Sequence, residues 1–297
     1  MGNIIGSRIS VPMASENMNL ISQSKKEAKR YEWLYHCTSI DALISMIKNR
    51  EMWLSNLQVV NDKEEAGRID FTEYEKAYYV GCFTYDKNIT EEHWREYGQS
   101  EHKVLFGMKT EWFNRKLAFL NTDYTKNDWD IFKIYNSFEE AINYQIESQK
   151  EGKIVPAPYY VMDYGFYKVI YDDELKRNIK TKSVWNIDGM TLEGAAITTG
   201  IAGIIKSTHG ICIREGKEPY DKDWSSEKEV RLKVGVITSN KDLIKTGLFF
   251  GKMAIQLSED AFSELPIVFS PDMCQKDRAS FIEKIRLLLP KSNVYEI

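Results

Sequence analysis

The sequence predicts an α+β protein. Short runs rich in aromatic and β-branched residues read as strands, and amphipathic stretches at helical spacing lie between them. They do not alternate regularly, as they would in a doubly wound parallel sheet, and no repeat period is present. With 297 residues, 43% of them hydrophobic, the chain carries enough apolar material for a large core.

Residues 1–30 begin polar and small-residue rich and read as a mobile leader, with 24–33 a short charged helix or an approach segment; 31–297 read as a single domain. WLYHC at 33–37 is a compact aromatic β run. Thr38, Ser39 or Asp41 caps the helix that follows, where Ile40, Leu43, Ile44 and Ile47 share a face. MWLSN at 52–56 is a second strand, and 60–68 is a polar loop running into a helix. A strand at 77–84, a helix at 90–99 with acid in its first turn, and a strand at 102–108 come next. Ser137 and Glu140 form a capping box for a helix near 137–149. The alternation over 158–171 predicts a hairpin turning near 163–165. Strands at 225–237, 252–257 and 265–269, an amphipathic helix at 275–290 and a final NVYEI complete the chain.

Composition removes several function classes. A net charge of −4 lacks the overall basic footprint of non-specific nucleic-acid binding. Cys37, Cys82, Cys212 and Cys274 are scattered without CxxC or paired-histidine spacing, which argues against a structural zinc site or any other metal centre and suits a reducing cytoplasm. The apolar stretch 194–205 is too short to span a bilayer, so no membrane association is expected. The start, MGNIIG, lacks the basic region of a signal peptide and has Gly6 where myristoylation wants Ser or Thr.

Two strands carry the residues of chemical interest. Successive strand residues point to opposite faces, so His36 and Thr38 share one face while Tyr35 and Cys37 take the other. His36 and Cys37 therefore form no nucleophile–base pair. A buried His36 needs a partner, either a backbone group or a ligand hydroxyl. In SSEKEVRLKV, Glu227, Glu229 and Arg231 fall on one strand face and Val230, Leu232 and Val234 on the other. That polar face is either solvated or lines a cleft. His93, Trp94 and Tyr97 read as one packed helix face, with a cleft position for Tyr97 as the second choice. The tyrosines of 159–171 read as hairpin core, or as a surface for stacking bases.

LYHCTSIDALISMIKNREMWLSN resembles the opening of ADP-ribosyltransferase-fold enzymes: a Y-H-x-T strand, a short helix, then a second strand. From about 33 to 297 the chain also resembles a large bacterial family known only as a domain of unknown function. The matching pieces are YHCTS, MWLSN, Asn61-Asp62, GCFT at 81–84, WREYGQSEHKVLFGM, Lys182-Ser183 and WSSEKEVRL. It departs from that family at Lys63, where proline is common.

The first resemblance implies an ADP-ribosyltransferase-like split β-sheet with surrounding helices and NAD as substrate. His36 and Thr38 then lie at the ribose hydroxyls, Ser55 (ahead of Trp53) at the nicotinamide end, Glu229 at the ribose, and Glu227 at the acceptor. Breaking the nicotinamide–ribose bond builds positive charge on the sugar, as in glycoside hydrolysis, and a fixed carboxylate stabilises it. The implied function is NAD-dependent ADP-ribosyl transfer, a glycosyltransferase reaction, to an intracellular macromolecule, with RNA or DNA ranked above protein. The implied role is a bacterial toxin or antiviral effector with an antitoxin among its partners. The alternative is a non-catalytic nucleotide- or partner-binding module. Glu229→Gln is expected to abolish turnover and leave the fold intact.

Overall fold

The computed structural model describes residues 11–60, 78–97, 102–119, 133–152, 158–178, 184–187, 190–193, 203–212, 218–238 and 251–297. The predicted 60–68 loop (after Val60), Lys182-Ser183 and most of 194–205 lie outside the described residues.

The first strands are β1 (Leu34–Ser39), β2 (Glu51–Asn56), β3 (Tyr78–Thr84), β4 (Lys103–Met108), β5 (Phe113–Phe119), β6 (Lys133–Tyr135) and β7 (Tyr159–Lys168). Short pieces follow: β8 (Ile170–Tyr171), β9 (Val184–Ile187), β10 (Met190–Glu193), β11 (Ile205–Lys206), β12 (His209–Cys212) and β13 (Tyr220–Asp223). The last strands are β14 (Glu229–Thr238), β15 (Lys252–Leu257), β16 (Glu264–Phe269) and β17 (Asn293–Glu296).

Seven strands, in the order β14-β7-β6-β5-β15-β2-β3, close on themselves because β14 also pairs with β3. A ring with an odd number of strands cannot alternate direction all the way round, so it needs a parallel pair. That pair is β6–β7. Parallel neighbours need a crossover, here supplied by the helix Phe138–Lys150 between them. Ser137 Oγ caps that helix by accepting from Glu140 N at 3.1 Å, as the capping box predicts. Beyond the ring, β1, β4, β16 and β17 extend the same sheet from β3.

The expected α+β split sheet is therefore corrected: the chain is a closed mixed β-barrel, mostly β, with few helices. Two local features explain the difference. Residues 159–168 do not turn near 163–165; they form one continuous strand. That strand lies along β14 from Val230↔Lys168 to Thr238↔Tyr159, while the other edge of β14 pairs with β3. β14 is also buried on both faces, where the alternation of charge left its polar face as either solvated or lining a cleft. Val230, Leu232 and Val234 point inward with Leu54, Phe83 and Leu117. Glu229, Arg231 and Lys233 point outward beneath the covering segments.

Ser39 ends β1 and starts the helix α2 (Ile40–Asn49), its Oγ accepting from Ala42 N at 3.1 Å. Of the expected mobile leader, Val11–Ala28 is a helix, α1. It lies on β7 through mainly polar contacts: Ser24 Oγ donates to Lys168 O at 2.8 Å, and Glu27 pairs with Lys168 at 2.9 Å. Among the described residues no helix is long and apolar enough to cross a membrane.

Candidate functional site

The edge of β3 that faces away from β14 is shared between two strands. β2 pairs with its beginning (Asn56↔Tyr79, Ser55↔Val80) and β1 with its end (Tyr35↔Thr84). At residues 81–83 the two partners diverge and the sheet forks. Gly81 sits at the fork, where a Cβ would lie 2.8 Å from Leu54 Cδ2. A cavity of about 240 Å³ opens there.

Opposed residues of an antiparallel pair share a face. Thr84 therefore sides with Glu229 and Tyr35, Cys82 with Arg231, and Val80 with Lys233 and Ser55. This is the outer face of the barrel. His36 belongs to the opposite face, its ring between Phe83 and Phe106 at centroid distances of 5.6 and 5.8 Å. It still reaches the cavity, because its Nδ1 bonds to the Cys82 carbonyl inside the fork at 2.9 Å. A carbonyl only accepts, so Nδ1 donates and Nε2 keeps its lone pair. Burial lowers the pKa of this histidine and keeps it neutral.

Facing it is a buried charged network. Arg231 grips Glu229 with two bonds, Nε to Oε1 at 2.7 Å and a terminal nitrogen to Oε2 at 3.1 Å. Lys206 Nζ lies 3.4 Å from both Glu227 Oε2 and Glu229 Oε2. Lys222 donates to Glu227 Oε1 at 2.7 Å and to Glu96. The Tyr97 hydroxyl donates to Glu227, and that of Tyr220 to Glu96. Trp224 underlies both lysines, with ammonium-to-ring distances of 4.2 and 4.8 Å. Among the described residues, three carboxylates and three cations of this network offset one another, which helps make their burial tolerable.

Burial pushes the Glu227 carboxyl up, but Lys206, Lys222 and the Tyr97 hydroxyl outweigh it and hold the group below its ordinary value. Burial, then the nearby Glu227, raises Tyr97, which stays a donor. Burial takes His93, beside Tyr97, down to about 4. It pushes the Cys37 thiol up to about 12 and Cys82 well above its usual value, so neither is a ready nucleophile.

Of the residues expected from sequence, His36, Ser55, Glu227 and Glu229 all line this cavity; Thr38 does not. Thr38 lies beyond the fork, opposite Val104 of β4. Glu227 and Glu229 do not share a strand face. Glu227 ends a 3-10 turn (Trp224–Glu227), and Lys228 follows in the left-handed region at φ 47. Lys206 is what joins the two carboxylates. Lys206 and Lys222 were not anticipated as site residues; Tyr97, expected in the packing with the cleft as the second choice, and Arg231, expected on the face of Glu229, both line the cavity. For Lys206 a signal existed: a single cation ending the apolar run GIAGIIK. Among the described residues no cluster of three or more His, Cys, Asp or Glu side chains is placed to hold a metal ion.

Comparisons with family models, with curated proteins and with solved structures give no match to this chain. The functional reading rests on the site itself.

Proposed function

We propose that the cavity takes the nicotinamide-ribose end of NAD and that the chain is an NAD-dependent ADP-ribosyltransferase. One observation carries this reading: His36 and Ser55 of one stretch and the Glu227–Glu229 pair of a distant one converge on one cavity. Nε2 of His36 is an acceptor for a ribose hydroxyl, and the Ser55 hydroxyl is a second polar contact. The carboxylates are fixed before substrate arrives, so charge developing on the ribose meets negative groups that need not reorganise. Glu227, with its lowered pKa, is a weak base; its part is electrostatic rather than proton removal. The cavity volume is below the roughly 300–1,000 Å³ of drug-sized sites, which suits one end of a dinucleotide. The acceptor in this reading is a macromolecule, nucleic acid ahead of protein.

The test is release of nicotinamide from labelled NAD by the pure protein, with calorimetry alongside. Wild type should release it, and Ser55→Ala should weaken NAD binding about fivefold, the size of one hydrogen bond. A protein that neither binds nor cleaves NAD rejects the proposal. A second reading has its own observation: Arg231, Lys206 and Lys222 already occupy most acceptor positions of the two carboxylates. A pocket neutralised in this way suits a nucleotide-binding module. NAD binding without nicotinamide release selects that reading.

A further inference from the structure

A cavity of about 240 Å³ cannot enclose a whole dinucleotide, so the rest of the ligand must lie across its mouth. On the outer face of β2, next to Ser55, stands Trp53. It lines the cavity yet is 51% exposed, among the most exposed large apolar side chains described. Its ring is not loose: Nε1 donates to Glu51 Oε1 at 3.1 Å, which fixes the plane of the indole. Lys252 of β15 lies directly across from Ser55 in the strand register. Its ammonium sits 5.1 Å from the Trp53 ring centre and makes no ion pair among the described residues. A hydroxyl and an oriented aromatic face thus line the cavity, and a cation stands beside them on the paired strand.

We propose that this trio is the second half of a nucleotide site: Trp53 stacks the adenine, and Lys252 meets the phosphates between it and the cavity. The chemistry is the one that binds nucleotides without reading their edges, a π face for the base and a positive charge for the backbone. A rigid indole loses little freedom when a base covers it. The inference rests on the NAD reading of the cavity and extends it to the far end of the same molecule.

The experiment compares NAD with nicotinamide mononucleotide, which lacks the adenosine half, by titration calorimetry on the full chain. Wild type should bind NAD at least tenfold more tightly than the mononucleotide, the size of one base–aromatic stack. Trp53→Ala should remove most of that difference and Trp53→Phe should restore much of it. Lys252→Ala should weaken NAD binding and flatten its salt dependence. If Trp53→Ala leaves the preference for NAD intact, the platform is refuted while the cavity reading stands. If it weakens both ligands equally, Trp53 belongs to the nicotinamide end and the assignment to adenine is wrong. If wild type binds neither, both readings fall together.

Discussion

Glu229 is 3% exposed and held in a two-point grip by Arg231. The sequence presented it as a removable carboxylate on a polar strand face. In the fold, Glu229→Gln would leave Arg231 and Lys206 short of a counter-charge inside the protein. Breaking a buried pair by removing one partner typically costs about 3–5 kcal/mol. We therefore expect Glu229→Gln to unfold at clearly lower urea than wild type, which corrects the expectation of an intact fold. An unchanged midpoint would show that the network is looser than its distances indicate. His93 gives a second residue-scale prediction. Its pKa falls from the ordinary 6.5 to about 4 in the fold, so the unfolded chain binds more protons between those values. The stability it contributes is complete above about pH 6.5 and is lost as pH falls toward 4. Glu227, lowered in the fold, keeps its own contribution until pH passes below the ordinary carboxylate range. The melting temperature should accordingly drop between pH 7 and pH 5, and drop less in His93→Gln. Parallel curves for the two proteins would contradict this.

At the scale of elements, the sequence was most legible where local chemistry decides. The Ser39 cap, the Ser137–Glu140 box, and the strands β1, β2, β3, β4, β15 and β16 lie where pattern and capping residues predict them. β7 read as a hairpin turning near 163–165 where the chain runs straight, and the polar face of β14 was left open between solvent and a cleft. Alternation distinguishes two faces but not water from a buried ion network, so the face of Glu229 and Arg231 read as either solvated or lining a cleft. Lys233 is fully buried, 3.4 Å from Asp163 of β7, and burial lowers its pKa to about 8. Convergence of His36 with Glu229 was legible only through the resemblance, since nothing local reports a pairing across nearly two hundred residues. The β14–β7 junction also makes a prediction of its own. At Gly235 the register shifts, and a Cβ there would fall 2.6 Å from a Tyr78 ring carbon. Gly235→Ala should destabilise the protein by about 1–3 kcal/mol, the usual cost of overpacking. A melting temperature equal to wild type would mean that Tyr78 turns aside freely.

At the scale of the molecule, closure makes the seven strands interdependent, but the seams are unequal. β14 is bound on both edges, by β3 over Glu229–Gly235 and by β7 over Val230–Thr238. β6 has only three residues, Lys133–Tyr135, joined to β5 at Leu117↔Ile134 and Ala118↔Lys133 and to β7 at Ile134↔Tyr159 and Tyr135↔Tyr160. It is also the site of the parallel pairing that an odd ring requires, and parallel pairs are slightly weaker per residue. Local opening follows the least supported backbone first. The barrel should therefore open at β5–β6–β7, on the side away from the fork, while β14 and β3 stay closed around the charged network. Hydrogen exchange read by mass spectrometry tests this: amides of β6 should exchange well before those of β14 and β3. Because the cavity is built on β1, β2, β3 and β14, nucleotide binding should slow exchange there and leave β6 unchanged. If β6 proves as protected as β14, or if ligand protects both alike, the barrel opens as one unit and the seam has no separate existence.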